Sequence, residues 1–271
     1  MRGMLRLDVP RRATINESPQ LARLVGEAER EKGDVEIDCS KTEAWGPFGV
    51  ALLASCLMVR QRLGRQTSFI APTDDEAAAA FAETGMALLV TGETTGLNGG
   101  QVHPIAIENH EASLQLASAL AAPLVAAAEA AQGVVQPCLQ SMLDNLFEWS
   151  ESGVGGFAVV RWHKKTKQAR FALVDRGIGI PAVLRRSHVG NLIRSTDAEV
   201  IEAAFSDPNA TSHQAGTPGL GLKHLRDSVL AHKGKLTVIS LGAKLCWTAD
   251  RVTRTASPAV RGTAIEIEMS T

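Results

Sequence analysis

Two runs of strand-forming residues, Phe157 to His163 and Ala169 to Val174, are separated only by the basic turn KKTKQ. A connection this short cannot hold a crossover, so the two strands must pair antiparallel as a hairpin. The second strand runs directly into DRGIGIP, Asp175 to Pro181, which delivers a carboxylate and two glycines to a sheet end. Two helical segments, about 111 to 131 and 134 to 150, precede the hairpin; helix-like GLKHLRDSVLAHKG and strands KLTVISL, AKLCWTA and GTAIEIEM follow it. This order places helices on one face of a mixed, mainly antiparallel sheet, an α/β sandwich.

The first ninety residues follow another rhythm. Val35 to Cys39 and Thr67 to Ala71 are strand-like, Phe48 to Arg62 has a helical apolar face, and Asp74 to Thr84 is helical with an acidic first turn. Ser18 begins an amphipathic helix with Pro19 in its first turn and Gly33 at its stop. Strand and helix in alternation give an α/β layer, and the loop-like TGETTGLNGG, Thr91 to Gly100, marks the division. The reading is therefore an α/β chain of two domains, 1–95 and 112–271, with a linker at 96–111. A length of 271 residues agrees with that division at roughly 150 residues per domain.

Composition removes several function classes. Lys and Arg number 28 against 29 Asp and Glu, so the net charge of −1 offers no field to hold nucleic acid or an anionic membrane. The four cysteines, Cys39, Cys56, Cys138 and Cys246, form no CxxC pair and have no histidine at ligand spacing, and read as reduced core thiols of a cytoplasmic protein. The uncharged stretch 112–128 is interrupted by Pro123 and falls short of the ~20 apolar residues of a span, so it reads as a buried helix. The N-terminus lacks the apolar stretch of a signal peptide.

Three elements carry chemistry. Glycines opening a helix, as Gly219 and Gly221 do in GTPGLGLKHL, let backbone approach a phosphate while the free N–H groups and helix dipole favour negative charge. Gly219, Leu220, Gly221 and Leu222 thus suit a triphosphate, with Lys223 the cation nearest to it. Asp175, at a strand end and followed by Gly177, Gly179 and Ile180, can accept from the exocyclic amine of adenine. A buried carboxylate penalises a base that leaves it unpaired, so the site selects adenine over guanine. Asn145, set among Leu143, Leu146 and Phe147, has a side-chain oxygen able to hold Mg²⁺ alongside phosphate oxygens.

Taken together, these residues resemble the GHKL ATP-binding fold shared by gyrase, MutL, heat-shock chaperones, histidine kinases and anti-sigma-factor kinases. DNLFEWS is similar to its N box, DRGIGIP to its first glycine box, GLGL to its second, and Gly262-Thr263 to the late glycine-threonine that accompanies adenine recognition. The intervals agree: 30 residues from Asn145 to Asp175 and 44 more to Gly219, which leaves room for an ATP lid at about 185–218. The resemblance covers about 112–271 and implies ATP and Mg²⁺ as ligands, with Thr263 joining Asp175 at the base. The first half resembles STAS domains in VEIDCSKTEAWGPFGVALLASCLMVRQRLGRQTSFIAP and the helix ending ETGM. It implies a protein partner docking through 1–95, and a homodimer is compatible with it.

Departures from both patterns matter. Where ATP-hydrolysing relatives carry Glu one turn before the N-box Asn, this chain has Ser141, a poor base near neutral pH. Asp144 points about 100° around the helix and Glu148 follows a turn late, so kinase or ATPase chemistry would need a displaced carboxylate. Where STAS antagonists present a phosphorylatable serine, this chain reads GPFG with Pro47, which excludes phosphorylation there. His110 lies 35 residues before Asn145, too close for a phosphoacceptor hairpin; His213 falls in the lid and His224 beyond the second glycine box. Lys164, Lys165 and Lys167 read as a solvated turn. The expectation is a regulatory protein in which Mg·ATP and lid closure control partner contacts; a kinase or ATPase and an interaction module without nucleotide are its rivals. With no tyrosine in the chain, any cover on the base must be aliphatic, Phe or Trp.

Overall fold

The spacing of apolar residues explains most elements directly. The computed structural model describes residues 4–86, 102–106, 111–127, 132–163, 165–186, 190–207 and 221–270. Of the expected lid 185–218, residues 187–189 and 208–218 lie outside these, as do the boundary loop 91–100, Gly219, Leu220, His110, His188, His213 and Lys164. Within that expected lid, 197–206 form a helix whose Val200, Ile201, Ala204 and Phe205 are in the core. Strands β1 (Leu5–Asp8), β3 (Val35–Asp38) and β5 (Thr67–Ile70) form a parallel sheet in the order β1-β3-β5, and β2 (Arg12–Ala13) pairs with β4 (Ala44–Trp45). Helices α1 (Ser18–Arg30), α2 (Pro47–Arg62) and α3 (Asp75–Glu83) alternate with them. Asp74 caps α3 by accepting from Ala77 N–H, as its acidic entry predicts.

The second half contributes β6 (Val102–Ile105), α4 (Ser113–Ala127), α5 (Gln132–Trp149), β7 (Gly156–His163), β8 (Gln168–Asp175), α6 (Ile180–Arg186), α7 (Asp197–Ser206), α8 (Gly221–Ala231), β9 (Lys235–Trp247) and β10 (Val252–Ser270). The hairpin forms as expected, with Gly156 opposite Asp175 and His163 opposite Gln168. Its sheet runs β6-β7-β8-β10-β9, and every described pair in it is antiparallel; among the described residues parallel pairing is confined to the first half. β6 lies within the stretch expected as linker and pairs with β7 as an edge strand.

Two elements differ from expectation. KLTVISL and AKLCWTA are one strand: Leu241, at φ +50°, pairs with Val260, and the extra residues of the register shifts on either side of that pair lie in β10. β10 begins at Val252, well before GTAIEIEM, and Pro258 is accommodated where the register against β9 breaks between Ala256 and Val260.

Side-chain alternation divides the second sheet into two buried faces. Ala158, Val160, Phe171, Leu173, Ile265 and Ile267 pack toward α4, α5 and α8, while Phe157, Val159, Val174 and Ala264 join the core of the first half. Helix α2 is the link. It touches both the parallel sheet and β7–β8, and Phe48 to Leu57 is buried without interruption, so the expected single apolar face is a helix buried all round. No helix among the described residues is long and apolar enough to cross a membrane.

Candidate functional site

The end of β8 and the last turn of α5 are strapped together. Ser150 follows α5, and its carbonyl accepts from Ile178 N–H at 2.9 Å. A Cβ on Gly177 would lie 1.7 Å from that same oxygen, so only glycine permits the strap. Leu146 packs onto Gly156, the residue opposite Asp175, where a Cβ would lie 2.5 Å from a Leu146 methyl. The neighbour of Leu146 is Asn145, 8% exposed, and its carboxamide has no hydrogen-bond partner among the described residues. Helix α5 and the turn after β8 thereby bring Asn145 and Asp175 to one end of the sheet.

Asp175 is 3% exposed. Its Oδ1 accepts from Gly177 N–H at 2.8 Å, and Thr263 N–H also donates to the carboxylate. Burial pushes its pKa up to about 7, against the lowering pull of those two N–H groups and of the Arg176 charge. Two donors do not exhaust a carboxylate, which retains acceptor capacity for a further N–H. Alternation along β8 and β10 sets Asp175 and Thr263 on the face that packs against α4 and α5.

Gly262 holds the other side of the turn. Its φ is +92°, and a Cβ there would lie 2.2 Å from the Asp175 carbonyl oxygen, so the late glycine-threonine is pressed against the first glycine turn. Ser240 on β9 locks the two together. Its hydroxyl accepts from Ile180 N–H at 3.1 Å, donates to the Gly262 carbonyl at 2.9 Å and lies 3.2 Å from Thr263 Oγ1. Ser240 is legible in the sequence only as a polar interruption of an apolar face, at the third position of the inward series Leu236, Val238, Ser240.

Gly221 is the first residue of α8, which packs along α5, and Leu222 is buried. Lys223 ion-pairs with Asp227 one turn along α8, at 2.6 Å. The displaced carboxylates differ: Asp144 accepts from Ser113 Oγ at 2.9 Å and Gln140 Nε2 at 2.7 Å, whereas Glu148 is exposed. Ser141 is half-buried. Cys39, Cys56 and Cys138 are buried thiols whose pKa desolvation pushes to about 12, which leaves them inert at neutral pH. Among the described residues no group of three or more His, Cys, Asp or Glu could hold a metal ion, so a bound cation would rely on Asn145 and on ligand oxygens.

A cleft of about 430 Å³ opens elsewhere, beside the β7–β8 turn, lined by Glu83, Arg161, Trp162, His163 and Lys165. It lies at the opposite end of the hairpin from Asp175. No family model and no curated protein matches the chain.

Proposed function

We propose that the chain is an ATP-binding regulatory protein, with a GHKL-like nucleotide site in its second half and a STAS-like first half that makes protein contacts. The carrying observation is the Asp175 carboxylate: buried, raised to about 7, and held at a strand end by two backbone N–H groups with acceptor capacity left over. Strongly perturbed buried acids cluster at binding sites, and Asp175, unlike the equally raised Glu266 that caps α2, keeps acceptor capacity at a glycine-lined strand end. Adenine would donate its exocyclic amine to Asp175, with Thr263 beside it. Asn145 would hold Mg²⁺ together with phosphate oxygens, and Gly219, Leu220, Gly221 and Leu222 would face the phosphates. Bound Mg²⁺ would neutralise phosphate charge.

Binding without turnover is favoured over the kinase or ATPase reading. Ser141 stands where a base is needed, and Asp144 is committed to Ser113 and Gln140. Lys223 is engaged with Asp227, so contact with phosphate would require that pair to open.

Calorimetry on the full chain with Mg·ATP and Mg·GTP tests the reading. We expect ATP to bind with a dissociation constant on the order of micromolar, GTP not to bind, and Asp175→Asn to abolish the heat. Because adenine needs the ionised carboxylate, affinity should rise from about pH 6 to about pH 8. No heat with ATP, or equal heats for both nucleotides, overturns the site. Phosphate release that is lost in Asp144→Asn or Glu148→Gln would establish turnover instead.

A further inference from the structure

Asp175 and Arg176 are consecutive at the end of an extended strand, so their side chains leave on opposite faces of the sheet. Asp175 faces the helix layer. Arg176 faces the first half, where its side chain is 4% exposed and its Nη2 pairs with Glu29 Oε1 on α1. Its Nε and Nη1 are buried without a partner. An ion pair this deep returns little net stability, because desolvating both charges offsets their attraction, and apolar side chains of the same volume would serve the core as well. What it does supply is registry between two elements.

Other polar tethers join the halves. Glu266 Oε2 accepts from Phe48 N–H at 2.9 Å, Arg161 Nη1 donates to the Trp45 carbonyl at 2.7 Å, and Lys244 Nζ donates to the Ile15 carbonyl at 2.6 Å. None of these is within the turn that carries Asp175. Only Arg176 is one peptide bond from it, with Arg176 N–H further fixed by Ser152 Oγ at 3.3 Å.

We infer that Arg176 and Glu29 are positioning residues for the Asp175 turn, and that ligand occupancy on one face of the sheet is transmitted through them to α1 on the other. This rests on the nucleotide reading above. A ligand that draws the Asp175 carboxylate toward itself must move or stiffen the shared backbone, and α1 is held to that backbone through a charge pair. The coupling is reciprocal, so loosening α1 must weaken the ligand. The first half is then a partner already docked in cis, with the GPFG segment that opens α2 turned onto Glu266.

The test compares the full-length wild type with Glu29→Gln and with Arg161→Met, a tether that ends on Trp45 rather than on α1 and is remote from the Asp175 turn. Mg·ATP affinity is measured by calorimetry, and amide hydrogen exchange over residues 18–30 is followed with and without Mg·ATP. In the wild type, ATP should slow exchange in α1; Glu29→Gln should bind ATP about 5- to 10-fold more weakly, the usual scale of such coupling, and lose that response. Arg161→Met should keep both, which separates positioning from general loosening of the contact between the halves. Binding by the wild type with no response in α1, or an unchanged response in Glu29→Gln, overturns the inference and leaves the nucleotide site standing. Absence of ATP binding to the wild type overturns both. Should Glu29→Gln fail to fold, the wild-type exchange response still decides.

Discussion

Glu266→Gln is expected to change how stability depends on pH. Glu266 is buried on β10, facing the first half, where its Oε2 accepts from Phe48 N–H at 2.9 Å. Pro47 precedes Phe48 at the start of α2, no side chain of the helix's own caps it, and the carboxylate serves as a cap supplied from another sheet. Burial raises its pKa from 4.5 to about 7, although Phe48 N–H and the charges of Arg170 and Lys235 pull it down and Glu268 adds to the rise. A raised acid keeps its proton in the folded state after the unfolded chain has lost it. Its contribution is complete below about pH 4.5 and is lost as pH climbs to about 7, and at about 1.4 kcal/mol per pH unit the loss is about 3 kcal/mol. Gln cannot titrate, so any constant cost of the substitution is the same at every pH. The stability difference between variant and wild type should therefore move by about 3 kcal/mol in the variant's favour between about pH 4.5 and pH 8. Asp175 titrates with the same sign in both proteins and cancels. Urea unfolding at a series of pH values gives the difference directly. A difference that stays flat across that range would refute the argument that Glu266 is held protonated by burial.

Three further substitutions test other parts of the structure. Arg60, fully buried, donates to the carbonyls of Ala28, Glu31, Gly33 and Gln66 and to Thr67 Oγ1; Arg60→Lys cannot span that set and should cost about 3–5 kcal/mol by urea unfolding. Gly262→Ala forces a Cβ to within 2.2 Å of the Asp175 carbonyl oxygen at a φ of +92°; a loss of about 3 kcal/mol or more is expected in thermal unfolding, together with loss of ATP heat in calorimetry. Thr196→Ala removes the reciprocal Thr196–Glu199 capping box of α7, and should cost about 1 kcal/mol in urea unfolding while leaving ATP affinity unchanged.

The elements most legible in the sequence are those whose determinants are local. The β7–β8 hairpin follows from two strand runs and a turn too short for anything else, and Asp175 falls at the strand end because the glycines after it forbid continuation. The capped entry of α3 and the start of α8 at Gly221 follow in the same way from neighbours within a turn. Sequence by itself therefore determined the hairpin, most of the helices, and Asp175 as the acid at the strand end. Tertiary structure alone decided what that acid touches. Ser240 reaches Gly262 across 22 residues, Glu266 reaches Phe48 across 218, and Arg176 reaches Glu29 across 147. Helix α2 looked one-sided because periodicity reports how apolar a face is, not how many layers cover it; packing against two sheets at once buried the rest. Such contacts arise where separately folded layers meet, and their partners are chosen by the geometry of that meeting, which no spacing along the chain encodes.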